Sequence, residues 1–211
     1  MKLEQIDKSE FRKFLKDNII KGQKCQRNWD LDKPMPQEDI DLVVAAATQC
    51  PSKQNLDFYS VMVIQDQEIQ KKIYENTLDR PGGRYNPQVL ANLLLLFFPK
   101  IPSEPRNAEV LAHWAGVDNQ NIRNRVDCDR DQAIGVAAGF VNVISQFLGY
   151  STGCNKCFNE EAIKDILNVE EKPLLMMGVG WSDETRNRRE DHMRGDKITS
   201  HQKLPIEVTY V

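Results

Sequence analysis

Ala45-Ala46-Ala47-Thr48-Gln49-Cys50-Pro51-Ser52-Lys53-Gln54-Asn55 carries the chain out of an apolar, helix-like run and through a short polar loop. Tyr59-Ser60-Val61-Met62-Val63-Ile64 follows and reads as a strand. Pro51 stops the helix because its nitrogen has no hydrogen to give and its ring clashes with the preceding turn. A helix that ends into Ser, Lys and Asn before a buried strand holds several hydrogen-bonding groups at a fixed place. That is how a site for a polar, planar ligand is built.

Upstream, Pro36 suits a helix start, with Glu38 and Asp39 in the first turn and Ile40, Val43, Val44 and Ala47 on the buried face. Earlier still, Phe11, Phe14, Leu15 and Ile19 recur at helical spacing, and Gly22 closes that helix. Gln23 to Pro36 is an extended connection. Downstream, Tyr59 to Gln65 is a strand, and Asp66 caps a short helix carrying Ile69, Ile73 and Tyr74. Leu93 to Phe98 is a continuous apolar run too short for a helix, so it reads as a central strand. A proline-rich loop and a helical pattern over Ala108 to Arg125 come next. A separate helix then begins near Asp129 and Asp131, with Ile134, Ala137, Ala138, Val141, Ile144, Ser145 and Leu148 on one face, and Gly149 ends it. Gly149 to Gly153 reads as a polar loop, Asn159 as the cap of a short helix, and Pro173 to Gly180 as a strand. After the charged, aperiodic stretch Trp181 to Gln202, Ile206 to Val211 closes the chain as a strand. No repeat or low-complexity linker divides the 211 residues, so the expectation is one α+β domain over residues 1–211.

The formal net charge of −3 argues against a nucleic-acid-binding protein, which shows a basic excess. Met1 to Glu10 lacks the apolar core of a secretory signal, and no apolar run is long enough to cross a bilayer. Cys25, Cys50, Cys128, Cys154 and Cys157 form an odd, scattered set rather than a disulfide framework. A reduced cytoplasmic protein without a membrane partner is expected.

Cys154-Asn155-Lys156-Cys157 is a C-x-x-C, but no second ligand pair at metal spacing accompanies it, and it lies too late in the chain for a thioredoxin-like motif. No metal site is predicted, and the segment reads as a loop whose backbone faces a ligand. G-x-S-x-G, G-x-G-x-x-G and Walker loops are absent, and no side chain is nominated as a catalytic nucleophile. Such a chain suits cofactor chemistry, where the protein positions and tunes a bound group. Lys24 and Arg27, flanking Cys25, make a phosphate grip.

The order of these pieces is what carries a resemblance: a basic cluster, Asp30-Leu31-Asp32-Lys33-Pro34-Met35-Pro36, an amphipathic helix, Pro51-Ser52-x-x-Asn55, and a strand. Much later come a small-residue helix ending Phe147-Leu148-Gly149-Tyr150, a polar loop, a strand running from Lys172-Pro173 to Gly180-Trp181, and Lys203-Leu204-Pro205-Ile206-Glu207-Val208. Over nearly its whole length the chain resembles the FMN-dependent nitroreductase family. The likeness is strongest over Gln26–Asn55 and Asp131–Trp181 and poorest over residues 100–128. It implies an α+β fold with a central, mainly antiparallel sheet flanked by helices. It also implies a homodimer with FMN in two interface clefts and a C-terminal strand exchanged between subunits. The implied reaction passes hydride from NAD(P)H through flavin to nitroaromatic, quinone-like or related small acceptors.

Carried over by position, Lys24, Cys25 and Arg27 fall where the family grips the FMN phosphate, with Lys203 and His201 completing the grip. Pro51, Ser52, Lys53 and Asn55 fall where one subunit frames the flavin held mainly by the other. Arg84 or Asn86 lies near the position contacting the pyrimidine edge. Cys154, Asn155, Lys156 and Cys157 fall where backbone N–H groups approach flavin N5 and O4. Two departures stand out. Gln23, Lys24 and Cys25 replace the usual Arg-Arg-Ser, and Asp57 stands where a glutamine is usual. Two other readings stand beside the first: a flavin-fragmenting or dehalogenating member of the fold, and, motivated by Gln23, Cys25 and Asp57, a dimeric non-enzymatic module that has lost tight FMN binding.

Overall fold

The computed structural model describes residues 7–78, 85–102, 119–187, 203 and 205–210. Four strands form one antiparallel sheet: β1 (Tyr59–Ile64), β2 (Leu93–Pro99), β3 (Ser151–Asn155) and β4 (Leu175–Gly180). Their order across the sheet is β1-β2-β4-β3. Helices α1 (Lys8–Gly22), α2 (Gln37–Thr48) and α4 (Asn119–Phe147) lie towards one face, and α3 (Gln67–Tyr74) and α5 (Glu160–Leu167) cover the other.

β2 shows why the layers hold together. Leu93, Leu95 and Phe97 pack with Ile40 and Val43 of α2 and Ile134, Ala137 and Val141 of α4. Leu94, Leu96 and Phe98 pack with Ile73 of α3 and Ile163 of α5. Because successive strand residues face opposite ways, a strand covered on both faces must be apolar throughout, and the expected central strand is where it should be. Each such side chain contributes about 1.5–3 kcal/mol on burial.

Helix boundaries follow local chemistry. Asp66 caps α3, accepting from the N–H groups of Glu68 and Ile69 at 2.8 and 3.2 Å, and Asn159 caps α5, accepting from Ala162 N–H at 3.2 Å. Pro36 precedes α2 with its acidic first turn. At the end of α4, Gly149 takes φ +90°, which lets Tyr150 N–H reach back to Ser145 O at 2.8 Å. A side chain at that φ would be strained.

Three expectations are corrected. Residues 119–147 form one unbroken helix, so no new helix starts at Asp129 and Asp131. No proline interrupts this stretch, and Arg130 pairs along and beside the helix with Asp127 and Asp131, so the acidic residues sit on its flank rather than at its start. The expected helix over 108–125 lies outside the described residues before position 119. Ser151–Asn155 is a strand and not a loop. Its ladder to β4 runs from Ser151 opposite Gly180 to Asn155 opposite Met176. Its signal was hidden because it packs on polar partners: Thr152 Oγ1 donates to Asn142 Oδ1 at 2.9 Å. Finally, residues 205–210 form no strand in the single chain, and Ile206, Val208 and Tyr210 are exposed.

Candidate functional site

At the β3 edge, Asn142 of α4 donates to Gly22 O at 2.9 Å, and thereby ties the end of α1 to the helix that also holds Thr152. The chain leaving α1 then runs against β3, where Gln26 N–H donates to Thr152 O at 2.8 Å. Gln26 is buried, and its Oε1 accepts from the N–H groups of Arg27 and Asn28 at 2.8 and 3.2 Å. Lys24 is exposed, while Cys25 and Arg27 are half-buried. Arg27 Nη1 donates to Cys25 O at 3.4 Å.

Two glycines let this edge close up. A Cβ on Gly153 would stand 2.7 Å from Gln26 O, and one on Gly178 would stand 2.1 Å from Gln88 O. These two residues face each other in the β3–β4 ladder and form a bare floor. Over it lies the turn Pro87–Val89, whose Pro87 carbonyl accepts from Trp29 Nε1 at 2.9 Å. Gln88 Nε2 donates to Cys154 O at 3.0 Å, and Asn86 Nδ2 donates to Gln88 Oε1 at 2.7 Å. Asn86 is thereby joined to the C-x-x-C segment, and it is buried as the cap of its own turn.

Within that segment Cys157 N–H donates to Asn155 Oδ1 at 2.7 Å. Asn155 Nδ2 is buried and has no partner among the described residues. An unpaired buried donor costs about 1–3 kcal/mol, so it marks a position where a ligand acceptor is welcome. The Cys154 side chain reaches solvent, yet the protein packed around it, and then Cys25, push its thiol from 9.0 up to about 12. It is a neutral thiol at physiological pH. No disulfide joins the five cysteines, and no group of three or more metal-ligating side chains exists among the described residues.

The Pro51–Asn55 loop lies at the other end of the sheet order, leading into β1. Tyr59 Oη donates to Ala47 O at 2.6 Å, which leaves the Cys50 thiol to donate to Tyr59 Oη at 3.2 Å. Burial, and then Cys50, raise the Tyr59 phenol above its ordinary value. Ser52 Oγ donates to Leu56 O at 2.8 Å, and Gln54 and Asn55 take φ values of 56° and 55°. Asparagine tolerates that conformation better than most residues. Lys53 pairs with Asp129 of α4, and Asp57 pairs with Lys100. The loop borders a groove of about 570 Å³ lined by Thr48, Ser52, Asn55, Asp57, Tyr59 and Ser60.

The predicted residues therefore fall into two groups. Cys25, Arg27, Asn86, Cys154, Asn155 and Cys157 come together along β3 and its flanking turns, with Lys24 and Lys156 exposed beside them. Pro51, Ser52, Lys53 and Asn55 stand three strand spacings away, about 14 Å at the usual inter-strand distance. Lys203 is exposed, and Arg84 and His201 lie outside the described residues. Sequence reasoning missed Gln26, Gln88 and Asn142, because no local pattern separates a buried, bonded amide from a surface one.

An apolar surface accompanies these sites. Val136, Phe140 and Val143 of α4 are 40%, 45% and 37% exposed. They line a shallow hollow of about 500 Å³ with Gly135, Gly139 and Ile144. α1 buries none of its side chains and leaves Phe11, Phe14, Ile19 and Ile20 exposed, with the Phe14 ring tilted against Phe147 of α4 at 5.7 Å between centroids.

The model of the nitroreductase family matches residues 20–181. The chain belongs to the nitroreductase family. The match takes in both site groups except the tail residues. Solved structures share the nitroreductase fold. One, from Staphylococcus epidermidis, is a proposed NAD(P)H:FMN oxidoreductase: it is 17% identical with a TM-score of 0.65, over 90% of this chain and 92% of that one. A proposed nitroreductase of Exiguobacterium sibiricum, solved in complex with FMN, is 18% identical with a TM-score of 0.58, over 81% and 90% of the two chains. The NfrA1 nitroreductase of Bacillus subtilis is 15% identical with a TM-score of 0.63, over 82% and 68%. No curated protein matches the sequence.

Proposed function

We propose that this nitroreductase-family chain is an FMN-dependent oxidoreductase. It passes hydride from NAD(P)H through flavin to nitroaromatic, quinone-like or related small acceptors, as a cytoplasmic homodimer of one domain per chain. The observation that carries the reading is the strand order. The phosphate-grip and flavin-frame groups stand at opposite edges of one sheet, so a site that needs both is completed by a second copy. The exposed apolar faces of α1 and α4 suit that second copy, because a contiguous apolar surface of this kind is the mark of an interface. The relative solved with FMN, and the one proposed to be an NAD(P)H:FMN oxidoreductase, point to the same chemistry.

The residues present fit a flavin mononucleotide. Lys24 and Arg27 supply positive charge for a phosphate, joined in this reading by Lys203 and His201. Cys154 stays neutral and brings no negative charge to the ring edge assigned to its segment. The buried, unpartnered Asn155 Nδ2 offers a donor to an acceptor atom of the ligand. Arg84 or Asn86 is assigned to the pyrimidine edge, with Asn86 held firmly by Thr77 and Gln88. Ser52 and Asn55 frame the ring from the partner copy. When bound, flavin supplies the hydride-accepting and hydride-donating chemistry, so no protein nucleophile is required.

The test is the visible spectrum of the purified protein after incubation with excess FMN. Flavin absorption that stays with the protein, is released on denaturation and is bleached by NADH or NADPH is expected. Protein that remains colourless overturns the reading.

A further inference from the structure

Gln54 and Asn55 both take left-handed backbone values, φ 56° and 55°. Asparagine tolerates that conformation, whereas glutamine is strained in it, so the surroundings must hold it there. Ser52 Oγ donates to Leu56 O at 2.8 Å, and the N–H groups of Asn55 and Leu56 donate to the carbonyls of Ser52 and Lys53, each at 3.1 Å. These bonds shape the loop from within. Lys53 reaches out of it and places Nζ on Asp129 Oδ2 of α4. Arg130, the next residue, is engaged by Asp127 and Asp131, which leaves Asp129 to Lys53. The Asp129 side chain is 20% exposed. The tie falls on a particular face of the helix. Val136, Phe140 and Val143 follow Asp129 by 7, 11 and 14 residues, a spacing that puts all four on one stripe. The exposed apolar face of α4 therefore has, at one end, the residue that holds the loop.

We propose that Asp129 is a positioning residue of the flavin frame. Through Lys53 it pins the strained Pro51–Asn55 loop to the face of α4 that joins the second copy in the proposed homodimer, and so presents Ser52 and Asn55 to the flavin held there. Lys53 is spent on this tie and does not itself touch the flavin. The inference rests on the flavin and homodimer reading above, and it gives Asp129 a role that no motif in the sequence suggests.

The experiment compares full-length wild type, Lys53→Met, Asp129→Asn and the double variant. FMN affinity is measured for each by fluorescence titration, with light scattering and thermal melting alongside. Asp129→Asn should weaken FMN binding about fivefold, and Lys53→Met should do the same. Both act through one contact, so the double variant should be no worse than either. Oligomeric state and melting should stay as in wild type, because an ion pair whose lysine is 57% exposed adds little to folding. If Lys53 met the flavin itself, Asp129→Asn would free its ammonium group, and binding would hold or tighten. Unchanged or tighter binding in Asp129→Asn, losses that multiply in the double variant, or a loss that comes with dissociation to monomer, overturns the role of Asp129 and leaves the flavin reading standing. Should Asp129→Asn prove insoluble, Lys53→Asp is set against the charge swap Lys53→Asp with Asp129→Lys: affinity regained in the swap supports the tie, and affinity not regained overturns it. Wild type that takes up no FMN overturns both.

Discussion

Gln88 holds Cys154 from across the sheet. Its Nε2 donates to the Cys154 carbonyl at 3.0 Å while its Oε1 accepts from Asn86 at 2.7 Å. A turn that precedes β2 thus fixes the outer strand β3, 66 residues further along the chain. Gln88→Ala removes both bonds and leaves a buried amide and a carbonyl unanswered. A loss of about 2 kcal/mol in unfolding free energy is expected, read by urea denaturation. Gln88→Glu should be as damaging, because the Cys154 carbonyl loses its donor.

Arg27 reaches into the grip segment while its backbone N–H is held by Gln26 Oε1. If it binds the flavin phosphate, Arg27→Ala should cost about 1.5–3 kcal/mol, roughly ten- to a hundredfold in FMN affinity. Lys72→Ala, an exposed change on α3, should leave affinity unaltered. Equal effects of the two substitutions in a fluorescence titration would show that the grip lies elsewhere.

The Cys154 thiol makes folding sensitive to alkali. Its folded value of about 12 stands above the ordinary 9.0, so between these limits the unfolded chain releases a proton that the folded chain keeps. Stability is fully present below about pH 9 and falls as pH rises towards 12. Cys154→Ser should flatten that part of the stability–pH curve. The same protonated thiol should react with iodoacetamide at pH 8.5 more slowly than a free cysteine does, as followed by mass spectrometry.

How much of this was legible in the sequence depended on how local each signal was. Leu93–Phe98 declared a strand buried on both faces because every residue in it is apolar, and Asp66 and Asn159 declared helix starts because a cap acts within three residues. β3 could not be read that way. Its Ser, Thr, Gly, Cys and Asn residues pack on Asn142, Gln26 and Gln88, contacts that exist only after the chain has folded. Asp129 and Asp131 resembled a helix start because acidic residues favour a first turn. Nothing local reveals that Lys53, 76 residues away, pairs with Asp129 on the flank of a continuing helix. The site suffered the same limit. Its residue types were visible, but their separation onto two sheet edges depends on strand order, which no motif encodes.

Phe140 is 45% exposed at the centre of the apolar face of α4. Substitution there touches no folded core within the chain, so Phe140→Asp should change the stability of a single chain by no more than about 0.5 kcal/mol. If this face joins two copies as proposed, the charge would lie in the middle of the interface, where burying it unpaired is costly. Light scattering after size exclusion should report a dimer for wild type and a monomer for Phe140→Asp, with FMN lost in parallel if the two copies share the site.

Ile206, Val208 and Tyr210 alternate along the tail and are 74%, 67% and 93% exposed. Three apolar side chains at a spacing of two fall on one side of an extended segment, and a tail of that kind loses nothing by leaving its own chain. β1 ends the sheet order, and among the described residues no strand pairs with its outer edge, so it presents the backbone groups an extended segment needs. In the proposed homodimer the tail would cross to the partner copy. Deletion of residues 204–211 should then give monomer or insoluble protein, while Lys203 is retained and the described core stays intact. If the deleted form elutes as a stable dimer with unchanged melting, the tail does not make the bridge, and the faces of α1 and α4 must hold the two copies together without it.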